Sequence, residues 1–213
     1  MENVMPTGKS YNHSGYFQNL SALLPTLDFS GLHRMTERLL AAWREQKMLF
    51  ICGNGGSAAL ASHLACDLGK GLRSCGVEPF RVMALTDNTP LLTAWSNDCD
   101  FTRVFAEQLA SLARPGDLIL AISASGRSPN VLQALRSGRK LKCQTLGLSG
   151  GEGGDMKALC DVCWTTGTFH MQQIEDLHNM AAHSVFLALG AAIQAEARPE
   201  PVTDLWDAAP VAA

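Results

Sequence analysis

The chain has 213 residues, of which 46% are hydrophobic and 17% are charged, and its formal net charge is −3 with a pI of about 6.0. These values predict one globular domain with a buried core, and they exclude a disordered chain and a basic, general nucleic-acid binder. We expect neither a membrane span nor a secretory signal, because no apolar stretch is long enough and residues 1–15 are polar.

Two helices are predicted ahead of the first strand. Apolar residues recur at helical spacing from Tyr16, a break follows near Asp28, and the spacing i, i+3, i+7, i+8 resumes at Leu32. We assign residues 1–15 to a mobile N-terminus and residues 16–195 to a single domain that includes these helices. Residues 196–213 are rich in Pro and Ala and predict a loose tail.

The first strand, residues 47–52, ends in the turn Gly-Asn-Gly-Gly-Ser at 53–57, and a helix follows to residue 68. Glycines let the backbone come close to a ligand, and the free N–H groups of the first helical turn point at an anion. Asn54 and Ser57 add polar side chains, with Ser57 as the expected N-cap. The turn matches neither GxGxxG nor GK[ST], which favours a small phosphorylated ligand. A connection that binds nothing is the alternative.

The remaining chain alternates strands with helices. The strands are predicted at 80–85, 117–122, 145–148 and 162–165, and the helices at 91–96, 101–113, 129–139, 156–160 and 174–194. This alternation is typical of an α/β protein whose parallel sheet is covered by helices on both faces. We therefore expect one five-stranded parallel sheet.

A second polar turn, residues 123–128, follows the third strand with the sequence Ser-Ala-Ser-Gly-Arg-Ser. Ser123, Ser125 and Ser128 supply hydroxyl groups there. In parallel sheets ligands bind at the C-terminal ends of strands, where both polar turns are predicted to lie. Two such turns on one rim predict a phosphate site.

Seven scattered cysteines, an odd number, favour free thiols and a reducing cytoplasm over a disulfide framework. Cys52, Cys66 and Cys143 stand in apolar surroundings and are expected to be buried. Cys160 and Cys163 form a CxxC pair without the second pair that a zinc ribbon requires. Because side chains three apart in a strand point to opposite faces, we expect inert structural cysteines rather than a redox pair.

Three motifs in order, GNGGSAALASHLACD at 53–67, SASGRS at 123–128 and IEDLHNMAAH at 174–183, resemble the sugar isomerase (SIS) domain. More narrowly, they are similar to the bacterial phosphoheptose isomerases. The resemblance implies a flavodoxin-like three-layer αβα sandwich and a cytoplasmic homotetramer with active sites between subunits. It also implies isomerisation of sedoheptulose 7-phosphate to D-glycero-D-manno-heptose 7-phosphate for surface polysaccharide, often with bound zinc.

Site residues follow from the same resemblance, position by position. The implied substrate-binding residues are Asn54, Gly55, Gly56, Ser57, Asn97, Asp98, Ser123, Ala124, Ser125, Ser128 and Glu175. The implied metal ligands are His63, Asp67, Glu175 and His183. The implied catalytic acid/base pair is Asp67 with His183.

The spacing of these residues agrees with that chemistry. His63 and Asp67 are four apart on one helical face, and Glu175 and His183 are eight apart on another. Two histidines and two carboxylates form a zinc ligand set or, equally, an acid and a base for an enediol reaction. His178 points away from His183 and is given no primary role. Lys70 and Arg127 either meet an anionic substrate or are solvated.

Four positions depart from the family pattern: Asp67 replaces Glu, Glu175 replaces Gln, Ala124 replaces Thr, and Arg127 replaces a small polar residue. A non-catalytic SIS protein is therefore the alternative, either a factor associated with the replication initiator protein or a sugar-phosphate sensor. The four retained polar residues on apolar helices favour the enzyme. No helix-turn-helix module remains outside the SIS region to support a transcriptional regulator.

Overall fold

Five parallel strands form the centre of the structure, a computed structural model that describes residues 12–74 and 76–197. They are β1 (Met48–Gly53), β2 (Arg81–Ala84), β3 (Leu118–Ser123), β4 (Gln144–Ser149) and β5 (Val162–Thr165). Their spatial order is β2–β1–β3–β4–β5. The predicted five-stranded parallel α/β fold is confirmed.

Helices cover both faces of this sheet. They are α1 (His13–Leu23), α2 (Phe29–Arg44), α3 (Gly56–Cys66), α4 (Leu72–Ser74), α5 (Thr89–Asp98), α6 (Val104–Leu112), α7 (Pro129–Lys140) and α8 (Met171–Ala197). Short 3-10 segments occupy Leu24–Thr26, Phe101–Arg103 and Gly154–Leu159. Among the helices described, none is apolar over the length that crossing a bilayer requires.

The central strands β1 and β3 are apolar on both faces, so the core has two halves. Leu49 and Ile51 of β1 pack under α2, α3 and α8, whereas Phe50 and Cys52 pack under α6 and α7. Successive side chains of a strand point to opposite faces, which explains this division. A sheet buried on both sides leaves the rim at its C-terminal edge as the polar surface where loops converge.

Polar side chains cap the first turns of two helices by hydrogen bonds to the backbone. Asp28 caps α2 by accepting a hydrogen bond from the Ser30 N–H at 3.0 Å. Asn88 likewise caps α5, accepting from the Leu91 N–H at 3.1 Å. The predicted cap of α3 was wrong: Gly55 holds the N-cap position, and Ser57 is the second helical residue.

The helix after the first turn does not end near residue 68 as predicted. It passes through a π-helical turn, Asp67–Gly71, into α4. A π-helical turn often marks a functional site. The ring of Phe186 lies 2.7 Å from the position that a Cβ atom on Gly71 would take, so this glycine allows α8 to come close.

Several expectations about the termini and cysteines are corrected. Residues 13–15 and 196–197, assigned to the termini, are helical, whereas residues 1–11 and 198–213 lie outside the described residues. Cys66 is exposed rather than buried. Cys160 and Cys163 do not diverge: the chain bends at Asp161, and both sulfur atoms lie within 3.3 Å of one point beside Gly147.

Candidate active site

The two predicted anion turns leave the sheet side by side. From β1 the chain proceeds to β2 on one side, and from β3 it proceeds to β4 on the other. Ligands of open α/β sheets bind at such a topological switch point, beyond the carboxyl ends of the strands. The turns at 53–57 and 123–128 flank this point.

A reciprocal pair of amide hydrogen bonds joins the two turns. Asn54 Nδ2 donates to Asn130 Oδ1 at 2.9 Å, and Asn130 Nδ2 donates to Asn54 Oδ1 at 2.8 Å. Asn130 is 2% exposed, and its Oδ1 also accepts a hydrogen bond from the Val131 N–H at 3.0 Å. Sequence reasoning missed Asn130, although an amide two residues after Ser128, at a helix start beside a polar turn, was an available signal.

Hydroxyl groups converge on the second turn. The Oγ atoms of Ser123 and Ser128 lie 3.2 Å apart, and the Arg127 N–H donates to Ser125 Oγ at 3.2 Å. Ala124 is buried, and its carbonyl accepts from the Gly150 N–H at 3.1 Å. The side chain of Arg127 is exposed at the edge of this hydroxyl-lined concavity.

Glu175 of α8 places its carboxylate at the start of α3, beside the first turn. Gly55 has a φ of 55°, which only glycine adopts without strain. Gly55 and Gly56 are exposed, and Ser57 is buried. Glu175 Oε1 lies 2.7 Å from the position that a Cβ atom on Gly56 would take. The carboxylate therefore faces the positive end of the helix dipole, which favours negative charge.

Three of the four predicted metal ligands meet in one cluster. His63 Nε2 lies 3.3 Å from His183 Nε2 and 3.5 Å from Asp67 Oδ2, and His183 Nε2 lies 3.8 Å from the same Asp67 oxygen. Half of each histidine side chain is exposed, so solvent and ligands can reach the cluster. Glu175 is not among the residues whose ligand atoms all lie within 4.8 Å of one another.

The cluster forms because α3 and α8 run parallel, side by side. Glu175 lies beside Gly56, His183 beside His63, and Phe186 beside Gly71. About two helical turns separate Glu175 from His183, as they separate Gly56 from His63. Residues 120 positions apart in sequence therefore face each other at matching heights.

The donor atoms suit a tetrahedral zinc ion. Zinc ligands at 2.0–2.2 Å imply about 3.4 Å between neighbouring donor atoms of a tetrahedron. The three distances in the cluster, from 3.3 to 3.8 Å, match one face of that tetrahedron. Imidazole nitrogen and carboxylate oxygen are ordinary zinc ligands, and the exposed side leaves a fourth position open.

The structure does not bring Asn97 and Asp98 to this cluster. They are the last residues of α5, where Asn97 Nδ2 donates to Asp98 Oδ1 at 2.9 Å. Both are exposed.

His178 is a buried neighbour of the site rather than a member of the cluster. It is 1% exposed, its ring centroid lies 6.4 Å from that of Trp164, and neither ring nitrogen has a hydrogen-bond partner. Burial lowers the pKa of His178 to about 4, with the nearby Ser149 backbone opposing that shift. His178 is therefore neutral at physiological pH.

An apolar groove of about 740 Å³ lies on the other side of His183, between α2 and α8. Leu27, Phe29, Leu177 and Leu187 are among its lining residues. Such a lining offers few hydrogen bonds to a sugar phosphate. The polar rim is the better site for a hydroxylated anion.

Comparison with known proteins gives consistent matches. Residues 15–150 match the SIS domain family. The phosphoheptose isomerase of Campylobacter concisus is 42% identical over 148 residues, which cover 70% of this chain and 78% of that protein. That of Trichlorobacter lovleyi is 35% identical over 179 residues, covering 81% and 85%. The structure of phosphoheptose isomerase GmhA from Neisseria gonorrhoeae superposes with a TM-score of 0.78 at 28% identity, covering 84% of this chain and 96% of that one.

Proposed function

Since the chain belongs to the SIS domain family and is related to phosphoheptose isomerases along most of its length, we propose that it is a phosphoheptose isomerase. The reaction is the interconversion of sedoheptulose 7-phosphate and D-glycero-D-manno-heptose 7-phosphate. The product supplies heptose for surface polysaccharide.

One observation carries this proposal: an acid/base cluster stands beside an anion site. His63, Asp67 and His183 supply two imidazoles and a carboxylate within 3.8 Å, on the helix that starts at the first anion turn and on the helix beside it. Proton transfer requires such groups within hydrogen-bond reach of the reacting carbons. A sugar phosphate anchored at the turns would extend its carbonyl end toward them.

The phosphate group is held by the two turns. Ser123, Ser125 and Ser128 donate hydroxyl hydrogen bonds, and Ser57 adds its hydroxyl group at the start of α3. The Asn54–Asn130 bridge keeps the two turns at a fixed separation. Anchoring one end of the substrate in this way orients the other end for reaction.

Asp67 and His183 carry the acid/base chemistry of the isomerisation. One group removes the proton from the carbon beside the carbonyl, which gives an enediol, and a proton returns to the neighbouring carbon. The second group exchanges protons with the sugar oxygens. Asp67 Oδ2 and His183 Nε2 lie 3.8 Å apart, so adjacent substrate atoms can contact both.

His63, Asp67 and His183 are the residues that would hold zinc, with Glu175 as a further candidate from the sequence. Zinc held by these residues would supply Lewis-acid polarisation of the substrate oxygens. His63, which the acid/base scheme does not use, orders the other two side chains with or without the metal.

Assembly and location complete the proposal. Phe17, Phe29, Met180 and Leu187 are exposed apolar side chains on α1, α2 and α8. Large exposed apolar surfaces mark interaction sites, which favours a homo-oligomer built through these helices, a tetramer by family resemblance. A cytoplasmic location fits the free thiols.

The proposal is tested by incubating the purified chain, metal-free and with added zinc, with sedoheptulose 7-phosphate and following aldose formation by NMR. Conversion in either condition supports an isomerase. Binding of the sugar phosphate without any conversion would identify a binding protein instead. The side chain of Asp67, which is shorter than the Glu of the family pattern, would then be the first cause to examine.

A further inference from the structure

The CxxC pair lies outside the proposed active site but has its own contacts. Cys160 Sγ and Cys163 Sγ lie 2.8 Å and 3.3 Å from the same point, the position that a Cβ atom on Gly147 would take. Any other residue at 147 would fill this space. Because Gly147 of β4 has no side chain, the two thiols fit into the same space beside the edge strand β5.

A bend in the backbone, held by hydrogen bonds, turns both thiols to one side. The chain bends at Asp161, whose N–H donates to the Thr145 carbonyl at 2.7 Å. Asp161 Oδ2 in turn accepts from the Thr145 N–H at 2.8 Å and from the Thr145 hydroxyl at 3.0 Å. These hydrogen bonds fix the bend, so the pairing of Cys160 with Cys163 is built into the fold.

Both sulfur atoms adjoin the Gly147 position, and each cysteine is partly exposed at the edge of the sheet. Within residues 12–74 and 76–197, the one group of three or more close metal-ligand side chains is His63 with Asp67 and His183. The thiol pair thus has no third ligand near it there. Two neighbouring, partly exposed thiols without a third ligand favour redox chemistry over zinc binding.

We propose that Cys160 and Cys163 form a reversible intramolecular disulfide that senses hydroperoxides. The thiolate of Cys163 attacks the peroxide oxygen, which gives a sulfenic acid and releases the other oxygen as water or alcohol. The Cys160 thiol then displaces water from the sulfenic sulfur and closes the S–S bond. Each disulfide consumes one hydroperoxide, and an external thiol restores both cysteines.

Local charge assigns these roles. The hydrogen bond from Cys160, with help from the Lys157 ammonium group, lowers the pKa of Cys163. The same hydrogen bond and burial raise the pKa of Cys160. The thiolate is the nucleophile in thiol oxidation, so Cys163 reacts first and Cys160 resolves the intermediate.

Oxidation of Cys160 and Cys163 affects the second anion turn through one short segment that contacts both. The 3-10 segment Gly154–Leu159 ends beside Cys160, and its Met156 N–H donates to the Gly126 carbonyl at 2.9 Å. Met156 Cε lies 2.9 Å from the same Gly147 point as the two sulfur atoms. Drawing the sulfur atoms together displaces Met156, which loosens the 123–128 turn.

The disulfide is tested on the full chain, reduced and then treated with hydrogen peroxide. Mass spectrometry should show that the peptide carrying both cysteines loses two hydrogen atoms and regains them with dithiothreitol. Cys99→Ser, at an exposed thiol, should behave like wild type. Cys160→Ser should stop at a dimedone-reactive sulfenic acid on Cys163, and Cys163→Ser should form neither product. A peptide that only gains oxygen, or remains unchanged, overturns the proposal.

The relay is tested on the same samples by amide hydrogen exchange. We expect the 123–128 turn to exchange several-fold faster in the oxidised wild type than in the reduced form, and equally in peroxide-treated and untreated Cys163→Ser. Equal exchange in oxidised and reduced wild type would overturn the relay. Neither readout uses sugar-phosphate turnover, so failure of the isomerase proposal remains distinguishable.

Discussion

The Nε2 atoms of His63 and His183 lie 3.3 Å apart, although 120 residues separate them in the chain. The contact exists because α3 and α8 lie parallel beside each other, with Asp67 one turn beyond His63. Three titratable side chains from the two helices thus share one small space. The chemistry of the proposed active site therefore depends on this cluster.

Removal of either proposed acid/base group should abolish turnover and leave folding intact. In Asp67→Asn and His183→Gln we expect kcat to fall about 10²–10⁴-fold, the usual contribution of a positioned acid or base, with a small change in KM. Initial rates with sedoheptulose 7-phosphate measure this. His33→Gln, at an exposed histidine on α2, is the matched control and should turn over like wild type. Near-normal kcat in Asp67→Asn or His183→Gln would remove that residue from the mechanism.

Zinc binding should depend on His63 but little on Glu175. The His63 nitrogen belongs to the three-atom cluster, whereas the Glu175 carboxylate lies at the start of α3. After dialysis against zinc and then buffer, elemental analysis should find bound zinc in Glu175→Gln and little in His63→Ala. Loss of zinc from Glu175→Gln would instead make Glu175 a ligand, as the family resemblance implied.

The Asn54–Asn130 bridge should stabilise the protein as a coupled pair. Asn130→Ala removes both hydrogen bonds to the half-buried Asn54 amide, so we expect the free energy of unfolding to fall by about 1–3 kcal/mol. KM for the sugar phosphate should rise, since the two turns lose their connection. Urea unfolding of Asn54→Ala, Asn130→Ala and the double variant gives the coupling energy between the two amides.

Asn19→Ala, at an exposed asparagine on α1, is the control for that cycle and should change stability little. Additive effects of the two single substitutions would show that the amide pair does not act as a unit.

Much of this site was predictable from sequence, for physical reasons that differ by residue. The anion turns could be found because glycine and serine directly after a buried strand are typical of a phosphate-binding connection. Helical spacing placed His63 near Asp67, and Glu175 on one face with His183, but spacing within a helix cannot give the angle between two helices. The contact across α3 and α8 therefore came only from the structure, as did the position of Glu175.

Other features could not be predicted from the sequence because they depend on a single backbone bend or on a partner distant in the chain. Strand geometry predicted divergent thiols at Cys160 and Cys163, but the bend at Asp161 overrides that rule locally. Asn130 was missed because its partner lies 76 residues away in another loop. The π-helical turn at Asp67–Gly71 has no signature beyond its glycines.

The buried His178 should make the folded protein less stable at acidic pH. Its pKa is about 4 in the folded chain and 6.5 when unfolded, so between these values the unfolded state binds more protons. The free energy of unfolding therefore decreases as the pH falls from 6.5 toward 4, by about 3 kcal/mol in total from this group. Above pH 6.5 the group has no such effect.

The comparison is urea unfolding of wild type and His178→Met at pH 7 and pH 4.5. Methionine has a similar volume and no titration, and all other groups are shared, so the difference between the two pH responses isolates His178. Parallel pH responses would assign the acid sensitivity to other residues.

The parallel pairing of α3 with α8 also has a consequence for biosynthesis. Both anion turns and their amide bridge are encoded before residue 131, whereas His183 is among the last described residues to leave the ribosome. Since a domain generally folds as a unit, Leu49 and Ile51 of β1 can be buried fully only after α8 has been synthesised. A nascent or truncated chain ending before α8 would leave that half of the core exposed to water.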